Sequence, residues 1–414
     1  MLNSRNNDTI NPIAASERFV VLDALRGMAL LGICLANFPE LSLYSFQSPE
    51  TIAAMPSAAI DTIIRYIQLV FIDGKFYSLF SLLFGIGFSI IISNAMKKGA
   101  NGMAVFYRRM LMLALIGFLH LMFIWSGDIL LLYALLGMLL PLFINVSDKK
   151  LLVWSGALLL FPIAMDTIKV LTDNRFNLAQ PVIDATQYFN AKNGITDENF
   201  PVWLRDSKTY SDVFKFLISG AFIRCQEFIE WNRIFKVLGL FLLGLYVGRK
   251  RIYADIKSYS KLLRQIRLWG FGIALPLSCV YAWNSMSGAP FGEIFSAVIY
   301  AVSVVPLSLA YASAILLWYD NHRTNAVFRY TAAPGRMAAT NYILQSVIGM
   351  FIYYGIGFGL GASMGLAQVE AVAACVFVIE IAISVLWLHY FRFGPVEWIW
   401  RMATYRKVLK LTKL

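Results

Sequence analysis

The chain has 414 residues, 59% of them hydrophobic and only 14% charged, with a mean hydropathy of +0.64. Soluble domains run nearer half apolar and a quarter charged, so this composition excludes a soluble enzyme and a disordered chain, and the long unbroken apolar runs exclude an outer-membrane barrel. The net charge of +12 does not signal nucleic-acid binding, because the Lys and Arg sit in short loops between apolar runs, where they set orientation against an anionic leaflet.

Residues 1–18 are polar, lack the apolar core of a signal peptide and read as a cytoplasmic N-terminus, which leaves insertion to the first span. Ten stretches approach the roughly 20 apolar residues that cross about 30 Å of hydrocarbon as helix. In chain order they are Phe19–Phe38, Phe76–Met96, Met110–Trp125, Ile129–Val146, Leu151–Leu171, Ile234–Gly248, Leu268–Met286, Glu293–Tyr319, Met337–Phe358 and Val369–Phe391. Ile60–Ile72 is about half a span, carries Arg65 and stops at Asp73, Gly74 and Lys75, so it reads as an interfacial or re-entrant helix. With that choice every strongly basic loop falls in the cytoplasm: Lys97–Arg109, Asp148–Lys150, Arg249–Arg267, His322–Arg336 and the amphipathic tail 392–414. The opposite side receives Phe38–Ser57 and the long segment 172–233, whose aromatic residues point to helices lying on the membrane rather than to a separate domain. The expectation is all-α: one polytopic integral membrane bundle over residues 1–414, of about ten transmembrane helices plus interfacial ones, with both termini cytoplasmic. The four cysteines show no metal-ligand spacing, so neither a metal site nor a disulfide framework is expected.

An ionisable side chain near a span centre costs roughly 2.5–3.5 kcal/mol on insertion scales, so each one needs a partner or a task. Asp23 and Arg26 lie three apart in the first span and can pair, or Arg26 can bind an anion; Gly27 and Gly32 let another backbone or a ligand come close. His120 is the one histidine within a span core, with Asp128 eight residues on, which fits a general base or a satisfied interior histidine. His322 and His389 read as structural or interfacial. Asn37 ends the first span; Asn341 and Gln345, one turn apart in the ninth, glue helices together or line a cavity. Glu380 is an intramembrane carboxylate without an evident partner, and Asp166 with Lys169 is a candidate pair in the fifth span. Ser78, Ser81, Gly85 and Ser89 form a small-residue packing face, and Trp398 and Trp400 in the tail read as interfacial anchors.

The motifs LDALRGMALLGICLAN, GKFYSLFSLLFGIGF, GFLH through GDILLLYALLG, GRMAATNYILQS and FGPVEWIWRMATY together resemble the bacterial YeiB family of multi-pass membrane proteins, a domain of unknown function loosely labelled as transport-related. The last motif is the most specific, with Phe393, Gly394, Glu397, Trp398, Trp400, Arg401, Thr404 and Tyr405 in order. The resemblance covers the chain almost end to end and implies the cytoplasmic (inner) membrane. More distantly, Arg26-Gly27 near the inner end of the first span resembles transmembrane acyltransferases, both the heparan-alpha-glucosaminide N-acetyltransferase type and the bacterial cell-envelope O-acyltransferases. That likeness implies acetyl-CoA or another acyl-CoA as cytosolic co-substrate and an acceptor outside. The chain departs from it in one respect: the O-acyltransferases carry a histidine eleven residues after the Arg, where Asn37 stands here. The heparan type has its histidine before the second span, and no histidine lies between Asn37 and Phe76.

Two readings follow. In a membrane acyltransferase, Arg26, Arg108, Arg109 and Arg336 would hold the CoA phosphates, with Asp23 and Gly27 beside them. His120 oriented by Asp128 would be the base, and Asn37 or Asn341 would steady the oxyanion. The acceptor would be a glycan, a lipid-linked sugar or a small metabolite. In a secondary transporter or permease, Asp23, Arg26, His120 and Glu380 would form a substrate and proton pathway. A cavity lined by both Arg26 and His120 and reaching the cytosol is the discriminating feature. Beyond the lipid bilayer, the sequence leaves both a monomer and a homodimer open.

Overall fold

The computed structural model describes residues 19–97, 101–173, 175 and 177–413, so the expected cytoplasmic N-terminus, residues 1–18, lies outside the described residues. Eighteen α-helices follow one another among them. They are α1 (Val20–Leu41), α2 (Pro49–Ala53), α3 (Ala58–Phe71), α4 (Lys75–Lys97), α5 (Gly102–Phe123), α6 (Leu130–Gly137), α7 (Asp148–Leu171), α8 (Gln180–Asn193) and α9 (Phe200–Asp206). The chain continues through α10 (Tyr210–Glu230), α11 (Arg233–Lys250), α12 (Ser260–Trp269), α13 (Leu275–Met286), α14 (Gly292–Asn321), α15 (Ala326–Arg336), α16 (Ala338–Tyr353), α17 (Leu366–Tyr390) and α18 (Pro395–Tyr405). β pairing among the described residues is confined to one isolated antiparallel bridge between Phe391 and Thr412.

Among the described residues seven helical stretches are long and apolar enough to cross a membrane, and the architecture is an all-α polytopic membrane bundle. Three of the ten expected spans fall outside these seven stretches. Ile129–Val146 breaks after α6, where Pro141 has no N–H to continue the ladder and the chain tightens into a 3-10 turn, Leu140–Phe143. Met337–Phe358 ends its helix at Tyr353, before a run of turns through Gly355, Gly357 and Gly359. Ile234–Gly248 is a helix of 18 residues, α11, closed at both ends by basic residues. The half-span Ile60–Ile72 is helix α3, about 21 Å long at 1.5 Å per residue, and it turns into α4 at Gly74, whose φ is +83°. Its Ile60, Ile63, Ile67 and Phe71 are exposed, while Asp61 and Gln68 are buried against α17.

Glycine sets the two tightest helix contacts. A Cβ on Gly27 would overlap the Thr331 carbonyl, and one on Gly335 would overlap the Asp23 carbonyl, so α1 and α15 touch backbone to backbone. The small-residue face of α4 does the same against α11, with Gly85 meeting Phe241 and Gly244, and Ser89 meeting Gly248. The segment 172–233 folds into α8, α9 and α10, and α10 packs on α8, α5 and α11, so it is fused to the bundle. All four cysteines are free thiols.

Three local expectations are corrected. Asp166 accepts a hydrogen bond from Asn232 Nδ2 at 2.8 Å, in place of an ion pair with Lys169. Glu380 has a partner, Gln345, whose Nε2 donates to it at 2.8 Å. Trp400 is not an interfacial anchor: it is 9% exposed and its indole N–H donates to Arg109 O at 2.8 Å, while Trp398 donates to Leu409 O at 2.7 Å. The tail therefore folds under the bundle instead of lying along headgroups.

Candidate functional site

Helix α1 places Asp23, Arg26, Leu30, Ile33, Asn37 and Glu40 on one stripe, because steps of three and four residues return to the same face. Helix α4 does likewise with Phe76, Phe80, Leu83 and Gly87. Both stripes border a single cavity of about 880 Å³. From Asp23 to Glu40 it follows about 25 Å of helix axis, most of the hydrocarbon thickness.

The end near Arg26 is strongly basic. Arg26, Arg109, Arg336 and Arg401 line it with Asp23 and Glu397. Arg26 Nη1 donates to Asp23 Oδ1 at 2.7 Å, and its side chain stays 27% exposed. Helix α18 builds the floor. Its Glu397 caps α16, taking the Ala339 and Thr340 N–H groups at 2.8 and 3.2 Å and the Thr340 hydroxyl at 2.6 Å. Trp400 carries the Arg109 guanidinium on its face, 4.0 Å from the ring centre. The middle of the cavity is apolar, bounded by Leu30, Phe80, Phe84, Phe88, Met110 and Leu113.

The far end is polar, aromatic and of mixed charge. Asn37, Tyr77, Tyr281 and Tyr300 line it; the Lys236 ammonium sits over the Tyr300 ring at 4.4 Å, and Arg233 stacks on Trp231 at 4.6 Å. Arg65 pairs with Asp73 at 3.0 Å. Arg224 holds two carboxylates, Glu40 at 2.9 Å and Glu227 at 2.6 Å. Burial works to lower the Arg224 pKa, but these two neighbours hold it above the ordinary value. Burial pushes the Glu227 carboxyl up, against the pull of Arg224 and with the help of Glu40.

Of the residues singled out from sequence, Asp23, Arg26, Asn37, Arg109 and Arg336 line this cavity, and Gly27, Arg108, His120, Asp128, Asn341 and Gln345 do not. Gly27 serves the α1–α15 contact. Arg108 Nε donates to Thr404 O at 2.9 Å, tying α5 to α18. Asn341 Nδ2 donates to Ser384 Oγ at 2.9 Å, and Gln345 holds Glu380, so both amides join α16 to α17. His120 is buried with both ring nitrogens engaged, Nδ1 at 2.8 Å from Asp128 Oδ2 and Nε2 at 3.0 Å from Ser346 Oγ. Tyr342 lies between it and the cavity: it lines the wall, and its ring lies 5.2 Å from the imidazole.

The family described as "Protein of unknown function (DUF418)" matches residues 247–407, from the end of α11 through α18. The chain is also 29% identical to "Uncharacterized protein YxaH" of Bacillus subtilis (strain 168), across 98% of this chain and 100% of the relative. It is 28% identical to "Uncharacterized protein YeiB" of Escherichia coli (strain K12), across 94% of this chain and 97% of the relative. Almost end to end, the chain is similar to YxaH and YeiB, and its C-terminal part matches the DUF418 family. No solved structure matches it.

The segment that matches the DUF418 family supplies Arg336, Tyr342, Ser346, Glu397, Trp400 and Arg401, so much of the basic mouth and the wall beside His120 lie within it. Sequence reasoning missed Tyr342, Ser346 and the Arg224 cluster. The repeated three-and-four spacing from Asp23 to Glu40 was the available signal for the cavity, since it runs charged, apolar, then polar along one face.

Proposed function

We propose that the chain is a membrane acyltransferase that takes an acyl group, acetyl in the simplest case, from cytosolic acyl-CoA and passes it to an acceptor at the opposite membrane face. One observation carries this reading: a single cavity joins a cluster of four arginines at the basic end, through an apolar waist, to a polar aromatic end. Guanidinium groups bind phosphate through paired N–H donors, which suits Arg26, Arg109 and Arg336 to the nucleotide end of CoA. The positive-inside bias makes that end cytosolic. The apolar waist suits the pantetheine arm and the acyl chain. The far end, with tyrosine faces and both signs of charge, suits an acceptor rich in hydroxyl or amino groups, such as a glycan, a lipid-linked sugar or a small metabolite. Asn37 lines that end and is the amide available to an oxyanion; Asn341 is committed to Ser384. His120 with Asp128 is the base, one residue layer behind Tyr342.

A proton-coupled permease uses Asp23, Arg26, His120 and Glu380 as one path, and what tells against it is Glu380, a residue the enzyme does not need; the burial of His120 bears equally on both readings. Asp23 and Arg26 line the cavity, whereas His120 and Glu380 are buried away from it.

The test is acetyl-CoA binding to the detergent-purified chain, followed by thermal shift and calorimetry. At a ligand concentration 100 times Kd the native state gains about 2.7 kcal/mol, so the melting temperature rises with concentration. Arg26→Ala and Arg336→Ala are expected to weaken binding about tenfold each, or ~1.4 kcal/mol, whereas His120→Ala keeps it. No shift at millimolar acetyl-CoA in folded protein overturns the CoA-dependent reading and leaves the permease.

A further inference from the structure

A base awaiting an acceptor needs a free ring nitrogen, and His120 has none. The place where an acceptor hydroxyl would sit is filled by Ser346 Oγ, 3.0 Å from Nε2. On the other side of the ring Nδ1 lies 2.8 Å from Asp128 Oδ2, and the remaining Asp128 oxygen accepts the Leu131 N–H at 2.8 Å. A carboxylate that accepts on both oxygens takes the Nδ1 proton, which leaves Nε2 as the lone-pair nitrogen at 3.0 Å from the serine hydroxyl; the hydroxyl's other acceptor, the Tyr342 carbonyl one turn back, is farther at 3.4 Å. The order hydroxyl, imidazole, carboxylate, with each link inside hydrogen-bond reach and the base held by a third group, is the arrangement that activates a serine nucleophile. Three separate elements supply it: α5, the turn before α6, and α16.

We propose that Ser346 is the nucleophile of this chain, activated by His120 and Asp128, and that acyl transfer passes through a covalent acyl-serine. The inference rests on the acyltransferase reading. In the first step Ser346 Oγ bonds to the thioester carbon and the C–S bond breaks; the hydroxyl proton moves to His120 Nε2 and then to the departing sulfur, giving the CoA thiol. In the second step an acceptor hydroxyl or amine attacks the ester carbon, its proton passes through Nε2 to Ser346 Oγ, and the C–Oγ bond breaks. No electrons are gained or lost. A covalent relay suits a cavity reached from opposite membrane faces, because donor and acceptor need not be bound together. Burial of all three groups keeps water from the ester. Tyr342 is the gate. It borders both the cavity and the imidazole, and its hydroxyl is held by Gly127 O at 3.2 Å, so the acyl group reaches Ser346 only when this side chain swings away.

The test uses a small fluorophosphonate on the detergent-purified full chain, read by mass spectrometry. Fluorophosphonates label activated serines and need no CoA. The expected result is modification of Ser346, absent in Ser346→Ala, slowed at least ~100-fold in His120→Gln and Asp128→Asn, and faster in Tyr342→Ala. His120→Gln keeps a hydrogen-bonding side chain in the cluster, and thermal unfolding of each variant shows that it is folded. A second arm seeks acetyl on Ser346 after incubation with acetyl-CoA alone. Absence of label at Ser346 in folded Tyr342→Ala, or labelling indifferent to His120→Gln, overturns the nucleophile. Acetyl-CoA binding without label leaves acyl transfer standing and removes Ser346 from it; label without acetyl-CoA binding keeps Ser346 and removes CoA as donor.

Discussion

Glu380 is fully buried in α17, its neighbours are apolar, and no cation pairs with it among the described residues. Gln345 donates to one carboxyl oxygen; the second carboxyl oxygen and the Gln345 carbonyl oxygen have no hydrogen-bond partner. A bare carboxylate there would carry a large desolvation cost, so the residue works as a hydrogen-bonding group between helices more than as a charge. Glu380→Gln is therefore expected to leave the apparent melting temperature near that of the parent, whereas Glu380→Leu strands the Gln345 amide and costs about 1–3 kcal/mol. Thermal unfolding in detergent reads the difference. A permease that moved protons through Glu380 would instead lose transport in Glu380→Gln with its stability intact.

At the scale of elements, the contacts that set the site are made by residues too small to stand out. Gly27 and Gly335 bring α1 and α15 together so closely that Arg26 and Arg336 border the same mouth. Backbone cannot yield as a flexible side chain can, so Gly27→Leu or Gly335→Leu is expected to separate the helices, lower the melting temperature and weaken any anion binding at the mouth together. Thermal shift with and without acetyl-CoA measures both. The sequence showed α1, α4, α7, α11, α14 and α17 to within a few residues, because apolar length is a local property, whereas α5 begins at Gly102, eight residues before the expected Met110 and within the expected basic loop. It did not show the break at Pro141 as the end of a span, nor the early end of α16, because hydropathy averages over turns that backbone chemistry decides. Nor did it show the use of the tail. Trp398 and Trp400 have the composition of a membrane anchor, and only the return of α18 beneath α5 and α16 turns Trp400 into a platform for Arg109. His120 with Asp128 was legible as an eight-residue pairing; Ser346, 226 residues away, was not, since nothing in a linear pattern marks which helix will cross there.

Across the whole molecule the cavity is the organising feature, and its waist is the point where both readings of function can be tested at once. Gly87 lies on the cavity side of α4, and a Cβ there would meet nothing within 4 Å. Gly87→Phe is expected to fill the waist without disturbing the packing of α4 on α11. Binding of the nucleotide end of acyl-CoA at the arginines would survive, and transfer to an acceptor would fall by orders of magnitude. Unchanged turnover in a folded Gly87→Phe chain would show that the acyl group does not pass this way.

The pairing of α1 with α15 also governs how the chain is made. The backbone that α1 rests against, Thr331 and Gly335, leaves the ribosome some 300 residues after α1 itself, and the Glu397 that caps α16 later still. Until then Asp23 and Arg26 have only each other, three residues apart on the same helix. Their ion pair thus protects two charges during the long interval between insertion and assembly, and the helix that carries the site waits for its own wall to be synthesised.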